Sequence, residues 1–156
     1  MAYKRILVPV DGSPTAAMGM TEAITLAKES GARLLLLHVV DEYPAFANPG
    51  IGVSAAPLIE ALRQSGAQTL EGIASIAKKA GVVPETMLIE NFGGRVADVI
   101  VQKAVVWKAD LIVMGTHGRR GVDRALMGSD ADVVVRYSPI PVLLVPPAQR
   151  AEAGKK

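Results

Sequence analysis

The sequence predicts an α/β protein built on a parallel sheet covered by helices. Three observations predict it. Short apolar runs recur at five places, each bounded by turn residues and lacking helical periodicity. Between them lie longer segments whose apolar residues return at three- and four-residue steps. Two of the runs end in glycine-bearing loops that lead into a helix start: Val10-Asp11-Gly12-Ser13, and Gly115 to Ser129. Strands that alternate with helices form a parallel sheet with right-handed crossovers. In such sheets ligands bind beyond the carboxyl ends of the strands, where strand order reverses.

The first strand is Ile6 to Val10, apolar on both faces as a covered parallel strand should be. Pro9 has no N–H for a ladder and belongs near the strand's end. Ser13 is an N-cap and Pro14 the first residue of a helix that Gly31 stops. Ala17, Met20, Ile24 and Ala27 mark its inner face. Arg33 to Val40 is the second strand. His38, near its end among apolar neighbours, is expected to be packed and hydrogen-bonded rather than catalytic. Prolines, glycines and an asparagine make 41–53 a loop, either a flap over a site or a surface insertion. Helical spacing resumes near Ser54 through Ile59, Leu62, Gly66, Leu70, Ile73 and Ala77, and Gly81 ends it. Glu85 to Glu90 is the third strand and Asn91 to Gly94 a turn. Val96, Val99, Ile100, Ala104 and Trp107 form the next helical face, with Trp107 packed in the core rather than stacked on a ligand. Asp110 to Gly115 is the fourth strand. A helix marked by Ala131, Val134 and Val135 runs to about Tyr137, Ser138 to Pro141 breaks it, and Val142 to Val145 is the fifth strand.

A chain of 156 residues that is 50% hydrophobic suits one domain, here residues 1–147, with 148–156 a polar, flexible tail. The sequence contains no cysteine, which excludes disulfides, thiol nucleophiles and zinc–thiolate sites. The net charge is only +2 and aromatic residues are 4%, too little basic surface and stacking surface for nucleic-acid binding. No apolar leader precedes the first strand and no run approaches a membrane span, so a cytoplasmic protein is expected.

The chemistry concentrates in the two loops. Glycines permit positive φ and close backbone approach to a ligand. Gly128-Ser129 opens a helix whose N–H groups and dipole attract anions, and Arg119 and Arg120 lie inside the loop. Gly115, Gly118, Gly128 and Ser129 therefore outline a phosphate cradle, although similar loops exist that hold no ligand. With the first and fourth strands adjacent, Asp11 stands opposite that cradle, suited to a ribose hydroxyl or a magnesium ion. The alternative is that Asp11 is only a turn residue. His117 is the one candidate acid or base; it could equally touch phosphate through its backbone or fill the loop. No Walker A sequence, no Gly-x-Gly-x-x-Gly after the first strand and no Gly-x-Ser-x-Gly elbow is present. The two histidines lack metal-ligand spacing, and no metal ligand set is read.

The chain resembles the universal stress protein family, in its ATP-binding branch, over nearly its whole length. The residues that carry the resemblance are Ile6 to Ser13, Leu37 to Asp41, Gly115-x2-Gly118-x9-Gly128-Ser129, and Ser138 to Val145. The resemblance implies a Rossmann-like five-stranded sheet of order 3-2-1-4-5, of the adenine nucleotide alpha hydrolase-like kind, with helices on both faces, and a homodimer. It implies ATP, or ADP or AMP, at the ends of the first and fourth strands, often with magnesium. By position, Pro9, Val10 and Asp11 would line the adenosine, with Ser13 in the same loop. The Val39 backbone would meet the adenine edge, and Met114 and Gly115 would pack near the nucleoside. Gly118, Arg119, Gly128 and Ser129 would hold phosphates, with His117 beside them. Asp130 departs from the family's usual apolar residue, and an inward carboxylate would repel a triphosphate. The implied role is a stress-linked sensor or signalling module that acts on a protein partner. The alternative is a weak magnesium-dependent ATPase or phosphotransferase. The fifth strand, uncharged and apolar on both faces, is the edge expected to pair with a second copy.

Overall fold

Leu34, Leu35, Leu36 and Leu37 are each no more than 1% exposed. Four consecutive residues point to alternate sides of a strand, so both faces of the sheet must be covered. The computed structural model describes residues 2–42, 55–117 and 127–147. Its elements are β1 (Arg5–Pro9), α1 (Pro14–Ser30), β2 (Arg33–Asp41), α2 (Ala56–Lys79), β3 (Glu85–Asn91), α3 (Val96–Val106), β4 (Leu111–Gly115), α4 (Ser129–Tyr137) and β5 (Val142–Val145). The sheet is parallel throughout, in the order β3-β2-β1-β4-β5. Strand order reverses between β1 and β4, which are the neighbours at its centre.

Alternation along the strands sends Ile6, Val8, Leu34, Leu36 and Val113 to one face, against Met20 and Ile24 of α1 and Leu70 and Ala77 of α2. Leu7, Leu35, Leu37 and Ile112 go to the other, against Ile100 and Ala104 of α3 and Val134 of α4. Full burial of each such side chain stabilises by about 1.5–3 kcal/mol before chain entropy is counted.

Helix boundaries follow local chemistry. The Ser13 Oγ accepts from the Ala16 N–H at 3.2 Å, Pro14 opens α1, and Gly31 closes it at φ 67°. Several expected positions shift. On α1 it is Ala16, Gly19, Met20, Ala23, Ile24 and Ala27 that are buried, whereas Ala17 is exposed. A stripe at steps of three and four passes through 16, 20, 23 and 27 and leaves 17 outside. On α4, Ala131 and Val134 are buried but Val135 is 44% exposed. β2 runs one residue beyond Val40, because β3 continues to Asn91 and pairs it with Asp41. Trp107 caps α3 beside the amino ends of the strands. The Arg5 guanidinium stacks 4.4 Å from its ring centre, and its Nε1 donates to Glu85 at 3.3 Å. Trp107 is therefore remote from the strands' carboxyl ends.

Charges tie the edge strand β3 to its neighbours. Arg33 of β2 meets Glu85 at 2.6 Å, and Arg63 of α2 pairs with Glu90 and Glu60. The Glu90 hydrogen bond holds the Arg63 guanidinium still further above its ordinary pKa. Among the described residues no helix is long and apolar enough to cross a membrane.

Candidate functional site

β1 ends opposite Leu37, and β2 continues for four residues past it. The Val10 N–H donates to the Leu37 carbonyl at 2.8 Å, so Leu37 turns its backbone groups toward β1. In a parallel strand the residue two further on faces the same way. Val39 thus directs its N–H and C=O toward the space above the end of β1, where no β1 residue is paired with it. That space is the crevice in which ligands of open α/β sheets sit.

The floor of the crevice on the β1 side is a tight turn. Asp11 Oδ1 accepts the Ser13 N–H at 2.8 Å, and Gly12 between them takes φ 80°, which favours glycine. Asp11 therefore shapes the turn, and it stays partly exposed at the crevice. Ser13 is only 5% exposed, and its hydroxyl is engaged in capping α1. His38 is 7% exposed and its Nδ1–H donates to the Val10 carbonyl at 2.8 Å. It is the packed histidine expected, and it fixes the residue from which the turn departs. The opposite edge of its ring lies against Gly66 of α2, where any Cβ would stand 2.6 Å from Cδ2.

The β4 side is built around Thr116. Its N–H donates to the Val145 carbonyl at 3.1 Å and its own carbonyl accepts from the Gly128 N–H at 2.7 Å. One residue thereby joins the two stems of the glycine loop and anchors both to β5. The Thr116 Oγ1 and His117 Nδ1 share a hydrogen bond of 2.8 Å, and the His117 carbonyl accepts from the Thr15 hydroxyl. The His117 Nε2 is buried without a hydrogen-bond partner among the described residues. Gly128 is the N-cap of α4, and no side chain caps that helix, in contrast to α1. Ser129 and Asp130 are exposed there. An uncapped helix start facing solvent keeps the partial positive charge that attracts anions.

The structure thus brings Pro9, Val10, Asp11, Ser13, Val39, Met114, Gly115, His117, Gly128, Ser129 and Asp130 to the carboxyl end of one sheet. Gly118 and Arg119, with Arg120, lie outside the described residues. One glycine has a packing reason as well. Gly115 is not among the residues of positive φ; a Cβ there would stand 2.6 Å from the Thr15 carbonyl oxygen. Its bareness makes room for the first turn of α1. Gly19 serves the same contact, since its Cβ would lie 3.2 Å from the Gly115 nitrogen. Sequence reasoning missed Thr15, Gly19 and Thr116. The available signal was the four-residue spacing of Thr15 and Gly19, which puts both on one face of α1. No group of three or more metal-ligating side chains occurs among the described residues.

Fold and site together define an open doubly wound α/β domain whose switch-point crevice lies between an aspartate turn and an uncapped helix start. A model of the universal stress protein family matches residues 2–146, so the chain belongs to that family. It is 38% identical over 143 residues to a universal stress protein of Methanocaldococcus jannaschii, covering 92% of this chain and 82% of that one. Two solved structures share the fold. One is a universal stress protein in complex with cAMP, with TM-score 0.66 and 26% identity, covering 95% of this chain and 100% of the other. The second is the universal stress protein of Archaeoglobus fulgidus in complex with dAMP, with TM-score 0.63 and 28% identity over 92% and 98%.

Proposed function

We propose that this protein is an adenine-nucleotide-binding regulatory module that acts in the cytoplasm as a homodimer and passes its occupancy to a protein partner. The observation that carries the reading is the crevice between the Val10–Ser13 turn and the Thr116–Gly128 stems. Relatives of the same fold solved with cAMP and with dAMP support the choice of adenine. In this reading the Val39 backbone takes the adenine edge, since a base edge needs a donor and an acceptor side by side. Pro9, Val10, Met114 and Gly115 flank the nucleoside, and the Asp11 carboxylate receives a ribose hydroxyl beside the Ser13 turn. The start of α4 at Gly128-Ser129 takes phosphate with His117, Gly118 and Arg119, and Asp130 sets how many phosphates are tolerated. The ligand is ATP, with ADP and AMP as the shorter alternatives, and magnesium offsets the charge when a triphosphate binds. Residues 1–147 form the working domain, with 148–156 as a tail. Two copies join through β5.

The regulatory reading is favoured over an ATPase because no Walker lysine is present in the sequence and, among the described residues, the His117 Nδ1 is bonded to the Thr116 hydroxyl rather than to an orienting carboxylate. Isothermal titration with ATP, ADP and AMP, with and without magnesium, tests binding. Phosphate release at a rate abolished by Asp11→Ala would move the protein to the enzyme class instead.

A further inference from the structure

We propose that Thr15 is the positioning residue of the phosphate half of this site: its hydroxyl, reaching from α1 to the His117 carbonyl, sets where the glycine loop leaves the sheet. The inference rests on the nucleotide-binding reading above and names how the cradle is held. The first turn of α1 lies directly on the end of β4. A Cβ at Gly115 would stand 2.6 Å from the Thr15 carbonyl oxygen, 2.7 Å from the carbonyl carbon and 2.9 Å from the Thr15 Cβ. Only a residue without a side chain allows that approach, and the approach carries the Thr15 Oγ1 past Gly115 to His117, two residues on. Thr116 then joins the stems through its bonds to Val145 and Gly128. The loop's exit is thus fixed at two successive residues, by β5 and Gly128 at Thr116 and by α1 at His117.

The two contacts differ in kind. The Thr116 bonds are backbone to backbone and survive most substitutions. The His117 contact depends on one hydroxyl, with the Ser13 Oγ 3.4 Å away as its neighbour. Thr15→Val keeps the shape and removes the donor, leaving a carbonyl in a partly buried position without its partner. The adenosine half of the crevice, on the Val10 and Val39 side, is held by other bonds and should feel little.

The experiment compares the parent, Thr15→Val and Thr15→Ser by titration with adenosine, AMP and ATP, and by hydrogen exchange at the Gly128 amide without ligand. Expected are a loss of about tenfold in AMP and ATP affinity for Thr15→Val, and adenosine affinity within about twofold of the parent. Gly128 exchange should be faster in that variant, and Thr15→Ser should restore both readouts. Equal losses for adenosine and the nucleotides would mean a general loosening and overturn the proposal. So would unchanged affinities in Thr15→Val. A parent that binds no nucleotide would sink the functional reading. In that case the exchange arm still decides whether Thr15 holds the stems, and unchanged Gly128 exchange would overturn that too.

Discussion

The two glycines inside α2 should respond to the same added methyl group with opposite signs. A Cβ at Gly72 meets nothing within 4 Å. Gly72→Ala therefore adds only helix propensity and a stiffer unfolded chain, about 1 kcal/mol of stability. A Cβ at Gly66 would lie 2.6 Å from His38 Cδ2 and 2.8 Å from its Nε2. The ring cannot swing away freely, because the Val10 carbonyl holds its Nδ1–H at 2.8 Å. Overpacking costs about 1–3 kcal/mol, and losing the partner of a buried carbonyl costs about 1–3 kcal/mol. Since either relaxation route relieves the other, the two are not summed. Against the gain of ~1 kcal/mol in propensity, the net is a destabilisation of up to about 2 kcal/mol. At roughly 2–4 °C per kcal/mol for a chain of this size, Gly66→Ala should melt below the parent by up to about 8 °C. Gly72→Ala should melt about 2–4 °C above it. Thermal and urea denaturation measure both, and two shifts of the same sign would refute the packing of His38 on Gly66. Because the Val10 carbonyl begins the aspartate turn, Gly66→Ala should also weaken adenosine binding, whereas Gly72→Ala should leave it unchanged.

Removing the carboxylate in Asp130→Ala should strengthen ATP binding several-fold while AMP affinity changes little, at a stability cost of about 0.3–1 kcal/mol for the lost charge at the start of α4. Equal ATP affinities by titration would place that carboxylate away from the phosphates. At the other edge of the sheet all four residues of β5 are half-buried in the single chain, and a second strand would cover the rest. Leu143→Lys or Leu144→Lys should split the proposed dimer or make the protein insoluble. Light scattering that finds the parent a stable monomer at high micromolar concentration would end the dimer proposal.

How far the sequence was legible depended on the range of the interactions. The strands were visible because two-sided burial demands unbroken apolar runs such as Leu34 to Leu37. The turn at Asp11-Gly12-Ser13 was visible because its hydrogen bonds span only two or three residues. Ala16 and Ala17 could not be told apart, since two adjacent alanines give almost no periodic signal. The end of β2 was set by pairing with β3 rather than by its own residues. The need for a bare backbone at Gly115 comes in part from Thr15, a hundred residues earlier in the chain, and no local pattern announces it. Thr15 itself escaped notice for the same reason, because its partner is the backbone carbonyl of His117 and a carbonyl has no sequence signature.

The most direct test is calorimetric titration of the parent and of Gly128→Val with adenosine, AMP and ATP, with and without magnesium. Gly128 is in an extended conformation, φ −60° and ψ 151°, that valine also adopts, so the variant should fold and lose only the close approach of phosphate. The account predicts micromolar or tighter binding of at least one nucleotide by the parent. The variant should keep adenosine and lose the added affinity that phosphate brings. No heat with any nucleotide, or a variant that binds ATP as well as the parent, would contradict it.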